Sequence, residues 1–437
     1  MQPMRHLGLL IIWLLVLLFP ASAAGALNIV TIVADDMGWG DVGFHGSKIR
    51  TPSLDQLARE GVRLERFYVN PICSVTRASL LSGQFARRTG VNNRTGLRLD
   101  YRTLPQDFSD AGWQTWMCGK WHLGGPAGNA MNGREYHPDR RGFAHFYGLL
   151  GGAVDYNEHI NRESGELDWW RNGEPVTESG YSTDLLTAEG IRLIRDRDRT
   201  RPFLLHLAYN AAHGPLNSPP GFSGSRRETY AAVVEHMDAA IGKVLAVLDA
   251  EGLNPNTVVV FFCDNGAQEG RGGSNAPLRG FKGDAREGGV RSPAVVRGPG
   301  LAPGTVSQQW MFVGDLWPTL AAAAGLTANP AKPFDGVNVW PALTRGEAQP
   351  RPGFEVGSAD LAWLSPPWKL RHQTDGLREL FDLGQDPGET NNLATQRPEM
   401  VARLTAEWEQ AAGAVRDKRG PGKPRREKGV KKGKRDE

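Results

Sequence analysis

Cysteine is scarce in this chain, and its scarcity limits the possible architectures. Only three cysteines, Cys73, Cys118 and Cys263, occur among 437 residues. An odd set of three excludes the fully paired disulfide framework on which small exported domains depend. The hydrophobic core must therefore carry the fold. Each cysteine lies beside a polar, motif-like cluster, and the simplest interpretation of such a free thiol is a small buried hydrophobe.

Long apolar runs are also scarce, and the main one lies at the amino terminus. Leu7 to Phe19 is a 13-residue run behind Arg5, too short to span a bilayer comfortably. Small residues follow it, with Ala-x-Ala cleavage options after Ala23 or Ala26. We predict that residues 1–26 are a signal peptide. The mature chain is then exported, to the periplasm or the medium, without stable membrane insertion.

Excess charge is absent except at the carboxyl terminus. The formal net charge is +3, but residues 416–437 carry 11 Lys/Arg against 4 Asp/Glu, so the rest of the chain is slightly acidic. This tail contains almost no apolar residues and is predicted to be disordered. A solubilising extension and a polyanion-binding segment are both compatible with it. Because the basic character belongs to the tail alone, we expect no nucleic-acid partner.

Four continuous apolar runs, each ending in polar residues, indicate strands buried on both faces. They are "NIVTIVADD" (Asn28 to Asp36), "QTWMCGKWH" (Gln114 to His122), "FLLHLAYNAAH" (Phe203 to His213) and "TVVVFFCDNG" (Thr257 to Gly266). Helical patterns lie between them, at Pro52 to Glu60 behind a Thr51 cap, Ser182 to Asp196 and Arg226 to Ala250. This alternation predicts an α/β fold with a mostly parallel mixed sheet sandwiched by helices. Its functional site should lie at the carboxyl ends of the strands.

The pattern changes near residue 330, where Pro-rich loops and short strand-like segments such as "PPWKLRHQ" and "RELFDL" begin. We predict a small antiparallel sheet there, a turn at Asp386 to Gly388, and a last helix from about Pro398 to Ala414. The predicted organisation is a signal peptide at 1–26, a large α/β domain at 27–329, a C-terminal subdomain at 330–415 and a disordered tail at 416–437.

Oxygen-donating side chains end two of the predicted strands. Asp35 and Asp36 follow the first strand, and Asp264 and Asn265 follow the last. Hard oxygen ligands suit Ca²⁺ or Mg²⁺ rather than zinc. A single Asp-Asp or Asp-Asn-Gly indicates a turn, but two such clusters at equivalent strand ends predict a divalent metal site.

Cationic and imidazole side chains accompany these oxygens. If Thr76 to Gln84 is helical, Cys73 and Arg77 lie near its amino end, where free N–H groups and the helix dipole favour an anion. The Arg77 guanidinium adds a fork of donors for oxyanions. Further side chains at strand ends and in a glycine-rich loop complete the set, namely Lys120, His122, His213 and Lys282. Together they describe a pocket for a tetrahedral anion awaiting displacement.

These segments, taken in order, resemble the sulfatases of the alkaline phosphatase superfamily over nearly the whole mature chain. The matching pieces are "ADDMGWGDVGFHG", "CSVTRASLLSGQFARRTG", "GKWHLG", "AAHGPL", "CDNG", "LRGFKGDAREGGVRSP" and "ELFDLGQDPGETNNLA". Other stretches, including "RRGFAHFYGLLGGAVDYNEH", are similar to the arylsulfatase B type, whose known member is an N-acetylgalactosamine-4-sulfatase. The resemblance implies release of inorganic sulfate from a sulfated sugar, glycan or aryl sulfate, as in glycosaminoglycan degradation. Trp169 and Trp170 are candidates either for stacking on a sugar or for packing.

The resemblance also implies how the site is completed. A formylglycine-generating enzyme would oxidise Cys73 to formylglycine (3-oxoalanine), whose hydrated aldehyde is the nucleophile. The divalent ion, Ca²⁺ in first place and Mg²⁺ as the alternative, would be held by Asp35, Asp36, Asp264, Asn265 and the modified Cys73.

The remaining roles follow from the same resemblance. Arg77 would stabilise the hydrate and the helix start, and Lys120 and Lys282 would bind sulfate oxygens as charge builds. His213, with Lys282 as a second candidate, would protonate the leaving alcohol. His122 would take the proton that drives sulfate elimination.

One position departs from the family pattern Cys-x-Pro-x-Arg, because Val75 replaces the proline. Proline pre-sets the extended backbone that the modifying enzyme reads, and valine also favours it. Conversion of Cys73 is therefore our prediction, with an unmodified thiol as the alternative.

Two rival functions follow from these observations. One is a phosphoester hydrolase of the same superfamily, whose members commonly hold two metals through extra His and Asp ligands. The other is a non-catalytic sulfoglycan-binding protein. The lysine- and histidine-rich pocket favours a sulfatase.

Overall fold

The computed structural model describes residues 27–92, 95–124 and 133–413. The predicted signal peptide and basic tail lie outside the described residues. Within this part of the chain the strands are β1 (Asn28–Ala34), β2 (Val62–Leu64), β3 (Phe67–Tyr68), β4 (Gln114–Gly119), β5 (His145–Gly148), β6 (Trp170–Arg171), β7 (Glu174–Pro175), β8 (Phe203–Ala208), β9 (Thr257–Cys263), β10 (Ala294–Arg297), β11 (Thr305–Ser307), β12 (Met311–Phe312), β13 (Phe354–Gly357), β14 (Leu361–Ser365), β15 (Trp368–His372) and β16 (Arg378–Asp382).

The α-helices of the same residues are α1 (Pro52–Glu60), α2 (Cys73–Ser82), α3 (Ala86–Thr89), α4 (Leu104–Asp110), α5 (Ser182–Arg195), α6 (Arg226–Ala250), α7 (Glu287–Val290), α8 (Leu316–Ala323), α9 (Trp340–Arg345) and α10 (Pro398–Ala412). None of these helices combines the length and the apolar character needed to cross a bilayer.

Ten strands form one large sheet in the order β11-β2-β10-β9-β1-β8-β4-β5-β6-β7. Its five central strands, from β9 to β5, run parallel. Every residue of β1, β8 and β9 is buried, because helices cover both faces of the sheet. The four strands predicted from apolar runs are neighbours at the centre, so their carboxyl ends meet at one edge. The prediction of a mostly parallel α/β sheet is confirmed.

Alternate residues of β1 point into two separate hydrophobic cores. Ile29 and Val33 belong to one core, which includes apolar side chains of α2, α4 and α8. Val30 and Ile32 belong to the other, which includes side chains of α1, α5 and α6. The sheet is therefore the middle layer of a three-layer structure.

A separate four-stranded antiparallel sheet, in the order β13-β14-β15-β16, lies near the carboxyl end, as predicted. In its register Leu370 is opposite both Trp363 and Leu380, and all three join the same core as α2. Neighbouring residues of β15 point to the opposite face. The small sheet thus packs directly on the core that lies between α2 and the large sheet. The domain boundary near residue 330 stays a prediction.

One helix start differs from its prediction. Helix α1 begins at Pro52 as expected, but the Thr51 side chain does not cap it. Thr51 Oγ1 instead accepts a hydrogen bond from the Gly43 N–H at 2.7 Å. The Asp238 carboxylate of α6 accepts from the N–H groups of Ser53 (2.9 Å) and Leu54 (2.8 Å). The first-turn N–H groups that Thr51 was expected to cap therefore donate to a carboxylate of α6, a helix distant in sequence.

Candidate active site

The parallel centre of the large sheet brings the predicted site residues together at one edge. Asp35 and Asp36 follow β1, Lys120 follows β4, and Asp264 and Asn265 follow β9. The remaining members come from α2, from the loops after β4 and β8, and from the loop before α7, namely Cys73, Arg77, His122, His213 and Lys282. Strand order, which places β9, β1, β8 and β4 side by side, explains why these sequence-distant residues are in contact.

Four buried oxygen-donating side chains form the floor of this site. Asp35, Asp36, Asp264 and Asn265 are each at most 2% exposed. Asn265 Nδ2 donates to Asp36 Oδ1 at 2.7 Å, and Asp36 adopts a positive φ of 59°. A non-glycine residue in this region costs roughly 1–3 kcal/mol and is often found at functional sites. The backbone at Asp36 therefore holds its carboxylate in a specific direction.

Each of three ligand candidates keeps one oxygen without a hydrogen-bond partner among the described residues. These atoms are Asp35 Oδ1, Asp264 Oδ1 and Asn265 Oδ1. The second oxygens of the two aspartates are occupied, since Lys120 Nζ lies 2.5 Å from Asp35 Oδ2 and Arg77 NH2 lies 2.7 Å from Asp264 Oδ2. A buried carboxylate oxygen with no partner is costly. A divalent cation bound by these oxygens would remove that cost, so the residues present fit a Ca²⁺ or Mg²⁺ site.

The charges around the floor support the same interpretation. Burial raises the pKa of Asp264, and the nearby Asp35 charge raises it further against the opposing effect of Arg77. At Asp35 burial also acts to raise the pKa, but Lys120 and the other cations outweigh it and the pKa falls below its usual range. The two carboxylates therefore repel each other at close range. A cation between them would favour the ionised form of both.

Cys73 is the first residue of α2, which corrects the predicted helix at Thr76 to Gln84. The helix begins three residues earlier and ends at Ser82, where Gly83 has a φ of 67°. Thr76, expected at the start, instead bonds the preceding segment, because its Oγ1 accepts from the Asn70 N–H at 2.9 Å. Cys73 is thus inside the first turn of the helix, whose N–H groups have no partner within the helix itself.

Val75 is the third residue of α2 and is 1% exposed. The first backbone bond of this helix runs from the Thr76 N–H to Ile72 O. The N–H of Val75 precedes that bond and belongs to the first turn, where a proline is tolerated.

One imidazole lies beside Cys73. His122 Nδ1 lies 3.2 Å from Cys73 Sγ, and His122 has a positive φ of 57°. Burial, followed by Lys120 and Arg77, lowers the pKa of His122 well below its ordinary value. Lys120 therefore both approaches Asp35 and keeps this histidine uncharged.

His213 is oriented by its own neighbour. Its Nδ1 donates to Gly214 O at 2.6 Å, which leaves Nε2 as the acceptor nitrogen, 3.7 Å from Asp36 Oδ2. Burial and then Lys120 lower the pKa of His213 to about 4. Lys282 Nζ lies 2.7 Å from Asp36 Oδ1, on the same carboxylate.

Two supporting residues were not assigned a role from the sequence. Asp41 accepts from Tyr230 OH at 2.7 Å, and that hydroxyl also reaches the Asp36 carbonyl at 3.3 Å. Cys263 was interpreted only as a buried thiol, but its Sγ accepts from the Met37 N–H and donates to Asn265 O. Cys263 thus contacts the backbone of Asn265 directly, whereas Asp41 acts through Tyr230 on the backbone of Asp36. The sequence signal available for these residues was position: Asp41 lies shortly after Asp35 and Asp36, and Cys263 directly precedes Asp264 and Asn265.

The fold and the site bring buried oxygen-donating side chains, ammonium groups and imidazoles together at one edge of a mostly parallel sheet. The sequence profile of the sulfatase family matches residues 27–326. The chain belongs to the sulfatase family, a family of sulfuric ester hydrolases.

Known relatives extend this similarity. The chain is 36% identical over 345 residues to arylsulfatase J from Mus musculus, covering 74% of this chain and 57% of that protein's length. It is 33% identical over 458 residues to N-acetylgalactosamine-6-sulfatase from Homo sapiens, covering 89% of this chain and 86% of the relative. The crystal structure of Ps i-CgsB in complex with k-i-k-neocarrahexaose is similar with a TM-score of 0.80 and 29% identity, covering 90% of this chain and 94% of that one.

Proposed function

We propose that this protein hydrolyses sulfuric esters and releases inorganic sulfate from a sulfated sugar or glycan. The observation that carries the proposal is the surroundings of Cys73. Its thiol lies beside His122 Nδ1, and its Sγ is close enough to Asp35 and Asp264 for the three to share a metal ion. Family membership and a structural relative crystallised with k-i-k-neocarrahexaose support the same function.

The site would be completed by a divalent ion and by conversion of Cys73. Asp35, Asp36, Asp264, Asn265 and the modified Cys73 would hold Ca²⁺, or alternatively Mg²⁺. When bound, the ion supplies Lewis-acid polarisation of the sulfate and a lower pKa for the nucleophile. Oxidation of Cys73 to formylglycine by a formylglycine-generating enzyme would supply a hydrated aldehyde as that nucleophile.

The chain's own cations would bind and orient the sulfate. Lys120 and Lys282 place two ammonium groups at the carboxylates of Asp35 and Asp36. Both would bind sulfate oxygens and stabilise the charge that builds in the transition state. Arg77 donates from Nε and NH2 to Asp264 and from NH1 to Lys120 O, so it fixes two of the site's elements.

The two imidazoles would move protons. His122, which is neutral and faces position 73, would accept the proton whose loss drives release of sulfate. His213 would protonate the leaving alcohol through Nε2, because Nδ1 is held by Gly214 O. A bound sulfate adds negative charge beside Nε2, which opposes the effect of Lys120 and favours protonation there.

The role of His213 predicts a loss that depends on the leaving group. His213→Ala should lower kcat by ~10²-fold or more on a sugar sulfate, since general-acid catalysis contributes typically 10²–10⁴-fold. The loss on 4-nitrophenyl sulfate should be much smaller, because an activated phenol leaves with little help. Steady-state kinetics on both substrates measure the difference. His236→Ala, which removes a histidine bound to Asp184 between α5 and α6, is the control. Equal losses on the two substrates would move the acid elsewhere, with Lys282 next.

The departure at Val75 predicts a gain. If recognition limits conversion, Val75→Pro should raise the formylglycine fraction and the activity per protein in the same proportion, with KM unchanged. Proline reduces the entropy cost of docking the extended segment in the modifying enzyme, and a first-turn position tolerates it after folding. Mass spectrometry of the Cys73 peptide and kinetics on an aryl sulfate measure both. Near-complete formylglycine in the unaltered protein would show that valine is already accepted.

The substrate proposal starts from the arylsulfatase B-like segments and names N-acetylgalactosamine-4-sulfate at the non-reducing end of chondroitin or dermatan fragments. Trp169 is fully buried and stacks on His159 at 4.1 Å between ring centres, so it packs rather than lining a sugar subsite. Trp170 remains a candidate. Sulfate release from 4-sulfated and 6-sulfated sugars tests the specificity. Release from the 6-sulfated sugar alone would discard the 4-sulfate proposal and keep the sulfatase.

The same assay separates the rival functions. Within the described residues, the ammonium groups of Lys120 and Lys282 lie against the carboxylates of Asp35 and Asp36, whose oxygens a second metal ion would need. This favours a sulfatase over a two-metal phosphoester hydrolase. Phosphate release in preference to sulfate release would reverse that choice. Absence of both, with an unmodified Cys73 and retained glycan binding, would identify the non-catalytic protein.

A further inference from the structure

A completely buried cluster of charges joins the C-terminal sheet to the loop that carries Lys282. Lys369, on β15, has no exposed side-chain surface. Its Nζ lies 2.8 Å from Glu287 Oε1 and 2.9 Å from Glu389 Oε1. Glu287 is the first residue of α7, which follows the Lys282 loop directly. Its second oxygen accepts from Tyr68 OH at 2.9 Å.

The opposite side of this loop touches the reacting centre. The Lys282 N–H donates to Ala267 O at 3.0 Å, and the Gly266 N–H donates to Gly289 O at 3.1 Å. Both contacts are with the turn that follows the metal-ligand candidate Asn265. The Gly283 N–H donates to Pro71 O at 2.8 Å, just before Cys73. The loop therefore lies between the active site and the C-terminal sheet.

A second side chain of β15 holds the same loop. Arg371 lies on the same face of the strand as Lys369, opposite the core-facing Leu370. Its NH2 lies 3.1 Å from Asp284 Oδ1 and 2.8 Å from Asp360 Oδ2. One strand thus binds the loop at Asp284 and at Glu287, on the carboxyl-terminal side of Lys282.

Stability alone is a poor explanation for this cluster. Burying ions costs several kcal/mol each, and well-packed apolar residues of similar volume often serve stability as well or better. A buried ion cluster does, however, favour one geometry, because few arrangements satisfy all of its charges. The cluster fixes the geometry of the loop that carries Lys282, the proposed sulfate-binding lysine.

We propose that Lys369 is a positioning residue for Lys282, acting through its contacts with Glu287 and Glu389. The C-terminal sheet thereby sets where the Lys282 ammonium meets Asp36 and the sulfate. This inference rests on the proposed function for the role of Lys282. Lys369 touches neither substrate nor metal ligands, so it is not itself a catalytic residue.

A double-mutant cycle tests the proposal. Lys369→Met should lower kcat/KM on an aryl sulfate by ~10–100-fold, the usual size for a residue that orients a ligand from outside. Added to Lys282→Met, the same change should cost less than ~3-fold, because its target is already absent. Lys369→Arg should recover part of the loss. Fully additive losses, or no recovery with arginine, would overturn the proposal.

A matched control separates positioning from general weakening of the interface. Arg87→Met breaks another contact between the two parts, the 2.8 Å pair of Arg87 on α3 with the buried Glu355 of β13. Arg87→Met should lower the melting temperature about as much as Lys369→Met does. Its effect on activity should be additive with that of Lys282→Met. If Lys369→Met does not fold, Arg371→Gln provides the same cycle through Asp284.

Hydrogen exchange distinguishes failure of this inference from failure of the proposed function. Peptides covering residues 279–291 should exchange faster in Lys369→Met than in the unaltered protein, and not in Arg87→Met. If neither the unaltered protein nor any variant releases sulfate but this exchange pattern holds, the proposed function fails and the positioning contact stands. If the unaltered protein is active and exchange in the loop does not change, the positioning contact fails alone.

Discussion

A Cys73→Ala variant is expected to lose ~10³-fold or more in kcat on an aryl sulfate while keeping its fold, as is typical when a covalent nucleophile is removed. This variant retains the lysines, histidines and carboxylates around position 73, but the alanine side chain has no atom that can attack sulfur. The thiol is buried, and its Sγ lies 3.2 Å from His122 Nδ1. Its removal should therefore change the melting temperature little.

Cys118→Ala is the matched control for this variant. Cys118 is also fully buried, but it lies in β4 with its side chain in the core that α5 and α6 cover. It should lose some stability through the small cavity and keep its activity. Robust turnover by Cys73→Ala would exclude a nucleophile at this position. A wholly unmodified Cys73 thiol together with robust hydrolysis would equally overturn the formylglycine mechanism.

Much of the fold follows from the sequence, because burial on both faces leaves a visible pattern. The apolar runs now seen in β1, β4, β8 and β9 could be recognised because apolar residues occupy positions on both faces of each strand. The edge strands β6, β7 and β11 could not, because they have two or three residues, partly or fully exposed. Such short segments carry no periodicity.

The site was predictable for a related reason. Parallel neighbouring strands end at the same edge, so polar residues after Ala34 and Cys263 were expected to meet. Contacts between distant segments were not predictable. The cap of α1 by Asp238 and the bond from the Glu287 N–H to Glu389 each join residues more than a hundred positions apart. Nothing local in the sequence marks those pairs.

Removal of the divalent ion is expected to lower activity and stability together. Asp35, Asp264 and Asn265 each keep a buried oxygen without a hydrogen-bond partner among the described residues. A bound divalent ion would be coordinated by these oxygens. An ion that binds only the folded state stabilises it by about 2.7 kcal/mol at ~100 times its Kd. For a chain of this size that corresponds to a shift of about 3 °C in melting temperature. Activity should fall with ion content.

Thermal unfolding and sulfate release, measured after prolonged chelation and again after adding Ca²⁺ or Mg²⁺, test this expectation. Recovery with one ion and not the other would identify the physiological metal. Asp264→Asn keeps the shape of the side chain but removes a charge, so its melting temperature should respond less to chelation. Asp335→Asn, which changes a carboxylate bound to Arg88 and the Phe85 N–H, should respond as fully as the unaltered protein. Full activity in protein shown by elemental analysis to be metal-free would rule the ion out, because the buried carboxylates would then function without it.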